Sequence, residues 1–534
     1  MLPLGPRPSA RSGRRPRVPD HAPPGDAGGA EAASAWPFGA AVAAAVCLSV
    51  HAGSARAQDA SPRDLLSDRV TRSDRVGSVA QDAQQTDDVV ARAPSPPPSG
   101  LRVLAFDEDY RYLADPARRT GVWERLKYVP LGAGASLTFG GEARLRYQYT
   151  RDEGFGAGRR GDGEFQERLR LWADLRLGDA ARGFVELQSA LTQGRETTPG
   201  PTDRNPAELH QAFLDLAGGM GGAAFAVRAG RQEIAFGQQR LVGIRDGANA
   251  RRAFDGVRLF AAFGPDWEAG ALAVRPVRDA PGSFDDRTDD TTGLWGGYAV
   301  RRLPPAPFGE ARIGLLFLGY DRASARFDGS AAADERRQTL ALRLAGRRGP
   351  FDYDLELIGQ AGRWGRESIR AWMVSANAGY TFADAPWTPR LGLSLDAASG
   401  DGKPGDGRLG TFNPLFARAP TLNAEIAQPN VVALTPTLAV KPAPGVALDA
   451  GYSPLWRESL RDGVYNRTNL LFRSGREAKS RFVGHRVVAS AKWQLNAFVQ
   501  ISAYANYVAA GSFFAETGPA KDLFYAAAYT TVRF

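Results

Sequence analysis

Nine basic side chains recur on the polar faces of alternating segments and define the chemistry open to this chain. They are Arg144, Arg146, Arg168, Arg170, Arg176, Arg228, Arg258, Arg486 and Lys492. Five acids, Glu142, Asp174, Glu186, Asp215 and Asp449, share those faces. A guanidinium is a planar fork that grips a carboxylate through two parallel hydrogen bonds. Several such groups in series hand an anion from one modest site to the next, and inside a narrow channel their field raises the local anion concentration. The same arginines can instead pair with acids on neighbouring strands and stiffen a wall. Each residue alone fits either use, so the anion reading rests on the excess of nine over five. Gln500, Ser502, Tyr504 and Asn506 add amides and hydroxyls of the kind that hydrogen-bond a sugar.

Other constellations are weaker. His210 lies near Glu208 and Asp215, a grouping that a barrel-embedded hydrolase can use, but no nucleophile elbow and no HExxH accompany it. The chain is therefore read as a non-enzyme with no cofactor. "DDRTDD" (285–290) and "SGDGKPGDG" (399–407) offer oxygen ligands to calcium, yet their spacing is not that of an EF-hand, and they read as solvated loops. The single cysteine, Cys47, falls in a segment assigned below to a leader, which leaves no thiol framework or cysteine-based metal site. The net charge is +9, and arginine supplies all but six of the 67 basic residues. These arginines are spread along the chain without a zinc or RNA-binding signature, so no nucleic-acid partner is expected.

The elements that must position these groups follow from the spacing. In "SLTFGGEARLRYQYT", Leu137, Phe139, Ala143, Leu145, Tyr147 and Tyr149 share one face, and Thr138, Glu142, Arg144, Arg146 and Gln148 share the other. In "EFQERLRLWADLRLG", Leu169, Leu171, Ala173, Leu175 and Leu177 oppose Arg168, Arg170, Asp174 and Arg176. A period of two held this long marks strands, and it outlasts the five or six residues usual in globular sheets. Strands of about 9–11 residues, apolar on one side and charged on the other, suit a barrel that crosses an outer membrane. Short turns alternate with long polar segments, except at 363–367, and the count reaches eighteen antiparallel strands. A barrel of that size can enclose an aqueous channel. The closing stretch, "FYAAAYTTVRF", keeps the alternation to Phe534, whose ring is expected in the interfacial girdle against the first strand.

Residues 1–57 read as a secretory leader, with basic residues, an apolar run at 35–50 and an A-x-A cleavage pattern at Ala55 and Ala57. Residues 58–100 have the composition of a disordered periplasmic linker. Residues 101–135 are expected to form a cap or plug under a barrel spanning 136–534.

The block "GRQEIAFGQQRLVGIRDGANARRAFDGVR" (230–258) resembles the alginate export family of outer-membrane proteins. "EDYRYLADPARRTGVWERLKYVPL" (108–131), "LHQAFLDL" (209–216), "GTFNPLF" (410–416), "WRESLRDGVY" (456–465) and "YVAAGSFFAETGPAKD" (507–522) agree with it in the same order. The "EDYRYL…DP" opening is similar to one branch of that family. The resemblance implies an eighteen-strand barrel, electropositive inside, that lets an anionic uronate polymer leave a Gram-negative cell. A general porin for small anionic solutes is the alternative. Expected partners are the acidic polysaccharide or anionic solute, outer-membrane lipid, the barrel-insertion machinery and periplasmic polysaccharide-export components. Within 230–258, Arg228 and Gln232 are expected to point inward, 235–251 to form an extracellular loop turning at Gly237, Gly243 and Gly247, and the next strand to start at Arg251 and Arg252 and bring Gly256 and Arg258 inward.

Overall fold

A computed structural model describes residues 102–195, 199–328, 330–418, 426–466 and 469–534. The expected leader and linker lie outside them. Eighteen strands carry the architecture: β1 Ala135–Arg151, β2 Gly161–Leu177, β3 Ala181–Gln193, β4 Asn205–Met220, β5 Ala223–Gln232, β6 Phe254–Phe263, β7 Trp267–Arg278, β8 Thr292–Leu303, β9 Glu310–Ala325, β10 Ala333–Arg348, β11 Phe351–Trp364, β12 Glu367–Thr381, β13 Arg390–Ala398, β14 Val431–Ala443, β15 Val446–Arg457, β16 Phe482–Gln494, β17 Val499–Ala510 and β18 Leu523–Arg533. Each pairs antiparallel with the next. β18 pairs with β1, from Glu142↔Arg533 to Arg151↔Phe524, which closes the cylinder. No helix among the described residues is long and apolar enough to cross a membrane; the crossing elements are these strands. They run from 9 residues in β13 to 17 in β1 and β2, so several extend past the apolar band.

The two-sided pattern explains the closure. Every backbone group must be paired where lipid replaces water, and a closed ladder leaves no edge. Leu145, Leu169, Leu171, Leu187, Leu214 and Leu216 stand exposed on the outside. Glu142, Arg144, Arg146, Arg168, Arg170, Asp174, Glu186, Asp215, Arg228 and Arg258 are buried on the inside. Short turns join the strands at one end and long segments at the other. The exception at 363–367 is a two-residue hairpin, with Gly365 at φ +54°. Arg408–Leu409, from the next long loop, adds a parallel pairing beside it at Ser368–Ile369.

Phe534 exchanges backbone hydrogen bonds with Gly141 at 3.0 and 3.1 Å. Its ring lies over Gly141 and packs 5.2 Å from Trp123, a residue of the short helix α1, Val122–Lys127.

Candidate functional site

The inner wall of β1–β6 is a lattice of ion pairs. Glu142, fully buried, accepts from Arg168 Nε and Nη2 at 3.0 and 2.6 Å and from Arg533 Nε at 2.6 Å. Arg170 lies 3.6 Å from Glu142 and donates to both oxygens of Glu186 at 2.7 and 2.9 Å. Arg176 and Arg182 share Asp174 at 3.1 and 2.6 Å. Arg228 forks onto Asp215 at 2.8 and 2.9 Å, with its guanidinium 3.8 Å from the Phe213 ring centre. Arg258 lies over Phe260 at 4.7 Å and Phe236 at 5.5 Å. A buried charge is tolerable only when paired and hydrogen-bonded, and most arginines of this wall meet that condition through an acid on the same or a neighbouring strand.

Two inserts use the same arginines. The β5–β6 connection, 233–253, folds back into the barrel. Arg144 donates to the carbonyls of Asp246 and Ala248 at 3.1 and 3.0 Å, and Arg146 to that of Gly247 at 2.8 Å. Asp246 also reaches Arg168 at 2.8 Å. The buried Asn249 amide donates to the carbonyls of Glu167, Leu191 and Asp203 at 2.9–3.1 Å. On the far side, Gln238 bonds Asp354 at 2.5 Å and Arg240 bonds Asp396 at 2.8 Å. Leu241 and Val242 pack there with Phe412 and Phe416 of the 399–430 loop, forming an apolar core against β6–β13. The second insert is 102–110. Arg182 and Arg176 donate to the carbonyls of Phe106 and Glu108 at 2.6 and 3.2 Å, and Arg251 to that of Val103 at 3.0 Å. The Phe106 ring packs against Phe184, Phe213 and Arg228.

The strands that lead round to β1 from the other side are packed less tightly. Facing inward on β14–β18, Thr435, Thr437, Asp449, Ser490, Lys492, Gln500, Tyr504 and Tyr529 remain half-buried. Register aligns Lys492, Ser502, Tyr529 and Arg146 in one row and Asp449, Ser490, Tyr504 and Gln148 in another, through Ala527. Arg486 gives Ser453 Oγ a hydrogen bond at 3.3 Å. Its Nε, Ser502 Oγ and Asn506 Oδ1 are buried without a partner among the described residues.

The nine cations named from sequence thus separate. Arg144, Arg146, Arg168, Arg170, Arg176, Arg228 and Arg258 cluster on β1, β2, β5 and β6, where they grip acids, inserts or rings. Arg486 and Lys492 stand apart on β16, beside the polar rows. Several inward cations were not singled out from sequence. Arg337 holds Glu335 at 2.6 Å, Arg343 holds Asp354, and Arg390 holds Asp352 at 2.5 Å. For Arg337 and Arg343 the alternation in "ADERRQTLALRLAGRR" was the available signal.

Two expectations are corrected. β6 begins at Phe254, because Arg251 and Arg252 end the insert: Arg251 pairs with Glu233 at 3.0 Å and Arg252 donates to the Gly243 carbonyl at 3.2 Å. Gly256 sits at φ +150°, where an added Cβ would meet the Ala273 carbonyl at 2.3 Å and the Val274 side chain at 3.0 Å. His210 does not engage Glu208 or Asp215. Strand register shifts between Glu186 and Leu187 at a bulge, and His210 Nε2 meets Glu233 at 2.8 Å among the insert's anchors.

The sequence profile described as alginate export matches residues 135–526. No curated protein matches the chain. Similar solved structures include three outer-membrane proteins of Pseudomonas aeruginosa. OccK2 (OpdF), in complex with glucuronate, has a TM-score of 0.50 at 13% identity, covering 74% of this chain and 98% of its own. OccK9 (OpdG) has 0.50 at 12%, covering 74% and 98%. OpdK has 0.49 at 10%, covering 74% and 99%.

Proposed function

The chain belongs to the alginate export family, an outer-membrane channel fold, and from that premise we propose that it is a passive, anion-selective conduit for an acidic, uronate-containing polysaccharide such as alginate. The observation that carries this reading is the wall of β14–β18. There, hydroxyls and amides alternate with Lys492 and Arg486, and Arg486 Nε, Ser502 Oγ and Asn506 Oδ1 are left without partners. A uronate repeat needs cations for its carboxylate and neutral donors and acceptors for its hydroxyls. Arg486 and Lys492, set along β16 with hydroxyls and amides on the strands beside them, let a chain pass from one site to the next. The seven arginines on β1, β2, β5 and β6 contribute through the field, since most of their N–H groups are already used, while Arg486 and Lys492 make direct contact.

In this reading residues 102–110, within the expected 101–135 cap or plug, act as a plug from the short-turn end, behind a cleaved leader. Transport is driven by a gradient or by polymer synthesis upstream. One observation favours a second reading: the 233–253 insert crosses the bore, bonded to β1 on one side and to β11 and β13 on the other, which suits uptake of small anionic solutes. Glucuronate in complex with OccK2 shows one uronate in a barrel of this fold, and is compatible with both readings.

Planar-bilayer recordings decide between them. A polymer channel has a reversal potential set by anions, and uronate oligomers block it at concentrations where small organic acids do not. Arg486→Glu with Lys492→Glu moves the reversal potential toward cation selectivity and abolishes the block. Equal block by small acids favours the porin; cation selectivity in the parent chain refutes both.

A further inference from the structure

Most acids facing the lumen sit on an arginine. Glu208, Asp285 and Asp286 do not: none of the three makes an ion pair among the described residues. Glu208 lies at the long-loop end of β4 and is 3% exposed. Asp285 and Asp286 come from the loop at 279–291, almost eighty residues later in sequence. The loop is pinned onto Glu208, whose Oε1 accepts the amides of Asp285 at 2.7 Å and Asp286 at 3.4 Å. Ligand oxygens of the three carboxylates lie within 4.8 Å of one another. Like charges so close and half-desolvated repel.

Asn205 points the same way independently. Its side chain is 1% exposed and enters the cluster, with Nδ2 2.8 Å from Asp286 Oδ2. Its Oδ1 is buried without a partner, as is Asp285 Oδ1. A half-turn of the amide puts that oxygen among the carboxylates. No nitrogen or sulfur ligand is present, and the oxygens come from two flexible carboxylates, one rigid carboxylate and an amide. That set suits a hard cation that takes six to eight oxygens in loose geometry, with water completing the shell. The other compact carboxylate group, Glu186 and Glu233 around His210, differs because Arg170 and Arg251 already neutralise it.

We propose that Glu208, Asp285, Asp286 and the Asn205 side-chain amide form a calcium site that staples the 279–291 loop to the rim of β4. The site goes beyond the conduit reading and does not depend on what passes through the barrel.

The full barrel is refolded in detergent, verified by heat-modifiable gel migration and titrated calorimetrically with calcium chloride after chelator treatment. One saturable site is expected, with a Kd of about 10⁻⁴–10⁻³ M, as in extracellular calcium modules. Calcium should also protect the 279–291 loop from protease, and magnesium at equal concentration should not. Asp285→Asn, and Glu208→Gln with Asp286→Asn, weaken binding at least tenfold; Asp289→Asn in the same loop leaves it within twofold. A parent chain with neither saturable heat nor protection overturns the proposal, as does equal binding of magnesium or full affinity in the folded variants. The protease readout on the unmodified chain keeps the test decisive if a variant fails to fold.

Discussion

Exchanging Arg144 and Arg146 together for methionine should free the 233–253 insert from the wall. Methionine keeps the apolar stems and removes three charged donors, which now hold the carbonyls of Asp246, Gly247 and Ala248 at 2.8–3.1 Å. A hydrogen bond from a charged group contributes about 1.5–3 kcal/mol net, so three give roughly 4–9 kcal/mol if additive. Water replaces part of this at the released carbonyls, and the change relieves repulsion between Arg144 and Arg168. A net loss of about 3 kcal/mol is the working figure, which raises the detached population about 150-fold. The Asp246–Arg168 pair, Asn249 and the far-side bonds from Gln238 and Arg240 still tether the insert, so it loosens and swings rather than escapes. In single-channel recordings the variant should show larger mean conductance and added flicker, and the Gly247 region should become sensitive to protease. The backbone ladder is untouched, so heat-modifiable migration should be unchanged. Parental conductance and noise with Gly247 still protected would refute the reasoning, because the insert would then be held by other contacts.

Phe106→Ala empties the site between Phe184, Phe213 and Arg228 and costs the 102–110 segment about 3 kcal/mol of docking; a cysteine placed at Val103 should react faster with a bulky maleimide. Asp462, in the 458–481 loop, accepts four hydrogen bonds, from Thr411, Tyr465 and the amides of Asp401 and Gly463. Burial nevertheless pushes its carboxyl from 3.8 up to about 6. The folded value exceeds the unfolded one, so the contribution to loop stability is full below about pH 4 and is lost as pH rises through 6. A spin label at Arg461 should therefore gain mobility between pH 5 and pH 7, and Asp462→Asn should flatten that change. Gly256→Val drives a side chain into the Ala273 carbonyl and should prevent barrel assembly, read as loss of the heat-modifiable band; normal assembly would show that the strand can shift.

The period-two alternation made the barrel legible, because lipid outside and water inside force opposite chemistry onto successive residues. Arg144, Arg168 and Arg486 all face inward as their spacing requires. Turn positions were legible too, down to the tight hairpin at 363–367. What the alternation could not reveal was how the inward groups are spent. Arg144 and Arg146 look like their neighbour Arg170, yet they hold loop carbonyls while Arg170 holds Glu186. That depends on a loop folding inward, and loop paths carry no periodic signal. The same limit hid the His210–Glu233 contact, since a bulge in β4 changes which residues meet. In sequence Glu208 stands out only as a neighbour of His210, because its meeting with Asp285 and Asp286 spans nearly eighty residues of chain.

The 233–253 insert is bonded to opposite sides of the cylinder, to β1–β3 at one end and to β11 and β13 at the other. A wide tube with a soft wall flattens easily into an ellipse when the bilayer squeezes it. A strut across the diameter removes that mode of deformation, so the cross-section beside β14–β18 keeps its dimensions as lateral pressure varies. Flow through such a tube should then follow movements of the strut and change little with membrane tension or lipid thickness.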